Sequence, residues 1–193
     1  MPSFNIHLAI ARKYCEKNQI NDKEMFYRGS IDPDLVQDKS ITHYTGKRDK
    51  NYLEEFLYEK VRLNKFLEDQ KVDSEYKLAL FLHLATDFVF FNGLFEREYI
   101  RNISYDDFIQ DLYYSYFVTN VYLEEKYRIH DLGLDDVMNA NIKNTLNKMQ
   151  IDNTHGNNIL PEEKLESFIE KMASLDVEKY IEKIKSENKN VLP

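Results

Sequence analysis

Two side chains interrupt the most apolar stretch of this chain. Between Tyr76 and Glu96 the residues are almost all apolar, yet His83 and Asp87 stand among them, four positions apart. In an α-helix that spacing puts one above the other on the same face. An imidazole and a carboxylate side by side in a helix built for burial must be satisfied there. Burying even a neutral polar group without a partner costs about 2–7 kcal/mol. Either a hydrogen-bond network or a metal ion meets the requirement. A lone His on an apolar helix is more often a core residue with a hydrogen bond. The acid four residues on makes a ligand pair an equal alternative.

Three further residues fall where they could join this pair. His7 lies in an amino-terminal helical pattern, Asp34 in an acidic loop, and His43 at the end of that loop. Together they make three imidazoles and two carboxylates. Nitrogen and carboxylate oxygen without thiolate suit zinc in a catalytic role, and manganese or iron less well. A carboxylate bridging two ions roughly 3.5–4 Å apart is the usual core of a two-metal hydrolytic site. Taken singly, the loop acids Asp32, Asp34 and Asp38 read as solvated. His130 and His155 lie in other loops and receive no metal assignment.

The elements that must carry these residues read as helices. Residues 3–18 place Phe4, Leu8 and Ala11 on one stripe beside His7. Asn21 and Asp22 can cap a short second helix. Residues 28–44 read as loop, punctuated by Gly29 and Pro33. An amphipathic helix is predicted over 50–70, the central helix over roughly 73–95, and another opening at Ser104. A break near Ile129–Gly133 precedes a helix at about 134–149, then a polar loop at 151–160. Pro161 opens a charged terminal helix of about 25 residues. With five Gly, four Pro, no internal repeat and no linker, the chain reads as a single all-α domain over residues 1–193, a multi-helix bundle.

Composition narrows the function. A formal net charge of -8 repels nucleic acid and anionic membrane surfaces. One cysteine, Cys15, excludes an internal disulfide and a cysteine-based zinc knuckle. No run reaches the roughly 20 apolar residues of a transmembrane helix. The first residues lack the apolar core of a signal peptide, so a cytoplasmic location is expected.

The order of the candidate residues is similar to a known pattern. His7, then Gly29-Ser30-Ile31-Asp32-Pro33-Asp34, then His43, then His83-Leu84-Ala85-Thr86-Asp87 resembles the bacterial zinc-dependent phospholipase C family over roughly residues 3–95. That family includes the alpha-toxin type enzymes and is related in fold to fungal zinc-dependent single-strand nucleases. The resemblance implies that Asp34, His43 and His83 hold one zinc, that Asp87 bridges to a second, and that His7 binds the second. It also implies a role for Asp34 as catalytic base. The chain departs from the family in three respects. It begins Met-Pro and contains no Trp, where secreted members complete a zinc site with an amino-terminal Trp. It has no His-x-x-x-Glu pair, since the residues four on from each His are Ala11, Lys47, Asp87, Leu134 and Ile159. Nor is the family's lipid-binding carboxy-terminal domain expected within these 193 residues.

The expectation is therefore a metal-dependent hydrolase of a small phosphoester or a lipid headgroup, using one or two zinc ions, with no nucleic-acid partner. Oligomeric state is left open. Two rivals are a helical phosphohydrolase built on a His-Asp dyad, for which His130-Asp131 is the literal match, and a non-catalytic metal-binding or interaction module.

Overall fold

A helix that is apolar on every side has no face to give to water and must be surrounded. That determines the architecture here. The structure, a computed structural model, describes residues 2–134, 139–140, 143 and 155–193. Its helices are α1 (Phe4–Lys17), α2 (Lys23–Gly29), α3 (Asp32–Leu35), α4 (Lys39–Thr42), α5 (Leu53–Tyr58), α6 (Leu63–Asp69), α7 (Glu75–Gly93), α8 (Arg97–Asn102), α9 (Tyr105–Lys126), α10 (Glu162–Ala173) and α11 (Val177–Glu187), with a 3-10 turn at Ile129–Asp131. No strand occurs among the described residues, so the expected all-α bundle is what forms. The helix expected at about 134–149, and the start of the loop at 151–160, fall mostly outside the described residues.

α7 is the axis. Ser74 caps it, its hydroxyl accepting from the Lys77 amide. Every residue from Phe81 to Phe91 is buried. Helices α1, α2, α3, α5, α6 and α10 pack against it. Phe90 meets Phe91, Phe95 and Phe168 edge to face, the geometry that aromatic quadrupoles favour. Among the described residues no helix is long and apolar enough to cross a membrane.

The packing of α2 on α7 depends on Gly29. A Cβ there would lie 2.7 Å from the Tyr76 carbonyl oxygen and 2.9 Å from the Ala79 Cβ. Both are parts of α7 that cannot swing aside. Gly29→Ala is expected to destabilise the fold by about 1–3 kcal/mol through overpacking. A urea midpoint equal to that of the wild type would show that α2 has slack at this crossing.

Three expectations need correction. Residues 28–44 are not wholly loop, because the end of α2, α3 and α4 lie within them. Residues 50–70 form two helices rather than one. The interruption recruits backbone groups of residues 59–62 to hold another segment: the Gly46 amide donates to the Glu59 carbonyl at 2.9 Å and the Arg62 amide to the His43 carbonyl at 3.2 Å. The terminal helix is also two. Asp176 caps α11 by accepting from the Lys179 amide at 3.1 Å, which restarts the helix after the break.

Candidate metal centre

Each of the five sequence candidates comes from a different local device, apart from the pair on α7. His7 closes the first turn of α1, in a stretch where Phe4 to Ala11 are all buried. Asp34 lies in α3, its amide bonded back to the Ile31 carbonyl at 2.9 Å. His43 ends α4, its amide donating to the Lys39 carbonyl at 3.0 Å. Asp32 faces the other way and accepts from the Tyr76 hydroxyl at 2.8 Å, anchoring this segment to α7 outside the cluster.

The fold brings all five together. His43 Nε2 lies 3.2 Å from His83 Nε2, 3.3 Å from Asp87 Oδ2 and 3.5 Å from Asp34 Oδ1. His83 Nε2 is 4.0 Å from Asp34 Oδ1. His7 Nε2 is 3.2 Å from Asp87 Oδ1, and its ring stacks on that of His83 at 4.0 Å. Two groups could each hold an ion: Asp34, His43 and His83, and His7, His83 and Asp87. All five side chains are buried, Asp34 being the least so at 7% exposed.

Hydrogen bonding determines what the two central rings present to each other. His83 Nδ1 donates to the Ser30 carbonyl at 2.8 Å, and His43 Nδ1 donates to the Lys39 carbonyl at 3.0 Å. A carbonyl oxygen can only accept, so each Nδ1 carries a proton. In the neutral rings both Nε2 lone pairs then point into the same small space, lined by two carboxylates. That arrangement repels itself unless a cation or an extra proton lies between. Both Asp87 oxygens and His7 Nε2 also lack a hydrogen-bond partner. Their contacts are close but poorly aligned.

The donor set fits zinc. Bonds of about 2.0–2.1 Å to a tetrahedral ion imply ligand-to-ligand edges of about 3.3–3.4 Å. The edges from His43 match this, while that between His83 and Asp34 is longer. The carbonyls of Ser30 and Lys39 supply the outer support that metal-bound imidazoles ordinarily have.

Without an ion, a proton takes the cation's part. Burial would lower the His43 pKa, but Asp34 and Asp87 outweigh it and raise the value to about 9. Burial, with the neighbouring His7, pushes His83 down to about 3, so His83 stays neutral. Burial would raise Asp87, but the adjacent His43 and His7 rings hold its carboxyl well below the usual range. Asp34 is also depressed, His43 again outweighing burial.

A pH dependence follows. The folded metal-free protein binds the His43 proton more tightly than the unfolded chain does. That contribution is complete below about pH 6.5 and is lost as the pH rises through about 9. Chelated protein should therefore lose thermal stability between pH 7 and 9.5, while the stabilisation by stoichiometric zinc grows, because the ion must displace that proton. Parallel melting curves with zinc and with chelator would count against His43 as a ligand.

Several residues at the site escape sequence reasoning. Ser30 and Lys39 act through their carbonyls, which no side-chain pattern reveals. Thr42 Oγ1 lies 3.0 Å from His43 Nδ1 and donates to the Pro33 carbonyl at 2.9 Å, tying α4 to α3. The Lys39 ammonium lies 3.2 Å from Asp34 Oδ1. A charge next to an acidic loop was the one available signal. His130 pairs with Asp131 at 3.2 Å, but the His130 side chain is 60% exposed and joins no ligand cluster among the described residues. His155 is exposed. A cleft of about 1320 Å³, bordered by Tyr58, Phe88, Phe91 and Tyr105, contains none of the five residues. Among the described residues its charged side chains form no group of three potential metal ligands, so the cluster is the candidate site.

No protein-family model matches this chain, and neither a curated protein nor a solved structure matches it.

Proposed function

We propose that this chain is a metal-dependent hydrolase of a phosphate ester, of the kind suggested by its resemblance to the zinc-dependent phospholipase C family. The observation that carries the reading is the pair of Nε2 atoms of His43 and His83, 3.2 Å apart, both turned inward by carbonyl hydrogen bonds. Asp34, His43 and His83 would hold one zinc and leave its fourth position to water, with Asp87 Oδ2 beside them, 3.3 Å from His43 Nε2. His7 and Asp87, with His83 shared between the two groups, offer a place for another. A bound zinc activates water and offsets the charge that builds on phosphoryl oxygens.

The chain's own residues do the rest. His43 and His83 keep their lone pairs inward because Lys39 and Ser30 hold their outer nitrogens. Asp34, the ligand nearest the surface, accepts the proton of the attacking water. As the new O–P bond forms the ester P–O bond breaks, and the leaving oxygen takes a proton from solvent. Burial excludes bulk water from the remaining ligands.

The depth of the cluster also favours a second reading, an ion that only stabilises the fold in a non-catalytic module. One experiment separates the two. Protein purified without chelator should contain zinc by elemental analysis and should hydrolyse aryl phosphomonoesters or phosphodiesters only while the zinc is present. Full zinc occupancy with no turnover on either class would leave the structural ion as the reading.

A further inference from the structure

Two ammonium groups flank the cluster, and neither is needed to hold an ion. Lys39 Nζ lies 3.2 Å from Asp34 Oδ1, on the side where the cluster comes nearest the surface. Lys60, just beyond α5, places its Nζ 3.8 Å from the centroid of the Phe91 ring. Phe91 is one helical turn past Asp87 on the same face of α7, so this ammonium stands on the next step of the face that bears the carboxylate. Asp87 and Asp34 attract it electrostatically, while Arg48 repels it.

Lys60 is held there by the same segment that positions His43. Its carbonyl accepts from Thr45 Oγ1 at 3.0 Å, and its amide donates to the Leu57 carbonyl at 3.3 Å. A half-buried lysine is costly to keep unless an anion offsets it. Burial in fact draws its ammonium below the ordinary lysine range, against the pull of the two carboxylates. An aromatic face provides part of the compensation.

Charge accounting then distinguishes substrates. The carboxylates of Asp34 and Asp87 offset one divalent ion. Lys39 and Lys60 remain as uncompensated positive charge beside it, with Arg48 adding to it around Lys60. A phosphate monoester dianion opposes more of that charge than a diester monoanion does.

We propose that Lys60 and Lys39 clamp the non-bridging phosphoryl oxygens and make the centre selective for dianionic phosphate monoesters. This rests on the metal-hydrolase reading above. Each ammonium has three donors, so Lys39 can hold Asp34 and a phosphoryl oxygen together.

The test uses zinc-loaded full-length protein, with inorganic phosphate as the dianion and dimethyl phosphate as the monoanion, and affinities from calorimetry. Wild type should bind phosphate at least tenfold more tightly than dimethyl phosphate. Lys60→Met should weaken phosphate binding tenfold or more with zinc content unchanged, and Lys60→Arg should stay within about threefold of wild type. Should Lys60→Met fail to fold, Lys39→Met, at a half-exposed position, carries the same expectation. Unchanged phosphate affinity in either folded Met variant at full zinc would overturn the clamp alone. A wild type that takes up no zinc would overturn the hydrolase reading and the clamp with it.

Discussion

Asp87→Ala should melt at the same temperature with and without chelator, whereas the wild type should lose roughly 8–16 °C when its metal is removed. An ion present at a thousand times its dissociation constant stabilises the native state by about 4 kcal/mol. For a chain of this length each kcal/mol shifts the midpoint by about 2–4 °C. Asp87 is the residue to remove because it touches both halves of the cluster, with His43 Nε2 at 3.3 Å from one oxygen and His7 Nε2 at 3.2 Å from the other. Neither oxygen has a hydrogen-bond partner that would explain a purely structural carboxylate. Thermal unfolding with and without chelator, beside elemental analysis, is the measurement. A chelator-induced shift of the same size in the mutant would remove Asp87 from the ligand set.

Asp34→Asn should reduce kcat on a phosphate ester by about 10²–10⁴, the usual worth of a positioned general base. The amide keeps the size of the carboxylate, and its oxygen can still accept from Lys39, so folding should survive. What it loses is the negative charge and the capacity to take a proton. Asp34 is the candidate on which this change is most informative, being the least buried of the five and the one beside a half-exposed cation. Zinc content measured on the same samples separates an emptied site from an intact one without its base. Wild-type kcat in the mutant at full zinc would assign the proton to another acceptor and leave Asp34 as a ligand only.

Much of this protein is legible locally, because the relevant physics is local. A 19-residue helix without a polar face must be buried, so the position of α7 at the centre could be read from its residues alone. The i, i+4 spacing of His83 and Asp87 determines that they share a face wherever the helix goes. Asp22, Ser74 and Ser104 cap helices where capping chemistry says they should, each accepting from an amide three residues on. The residue types also specify a nitrogen-and-oxygen donor set, whatever the fold does with it.

Only the tertiary structure decided how the remaining three candidates meet that pair, and which unmarked residues aim them. The expected helix over 50–70 is apolar at helical spacing throughout, yet it breaks because residues 59–62 are recruited to hold residues 43–46, the His43 segment. That trade is invisible locally, since helix propensity knows nothing of a strand of loop arriving from elsewhere. The inward turn of His43 and His83 depends on the carbonyls of Lys39 and Ser30, groups that every residue possesses and whose direction is set by the path of the chain. Lys60 shows the same limit: its identity is plain in the sequence, but its place beside Phe91, one turn from Asp87, exists only once α5 packs on α7. Local spacing determined which side chains could bind an ion. Long-range packing decided which lone pairs converge on one point.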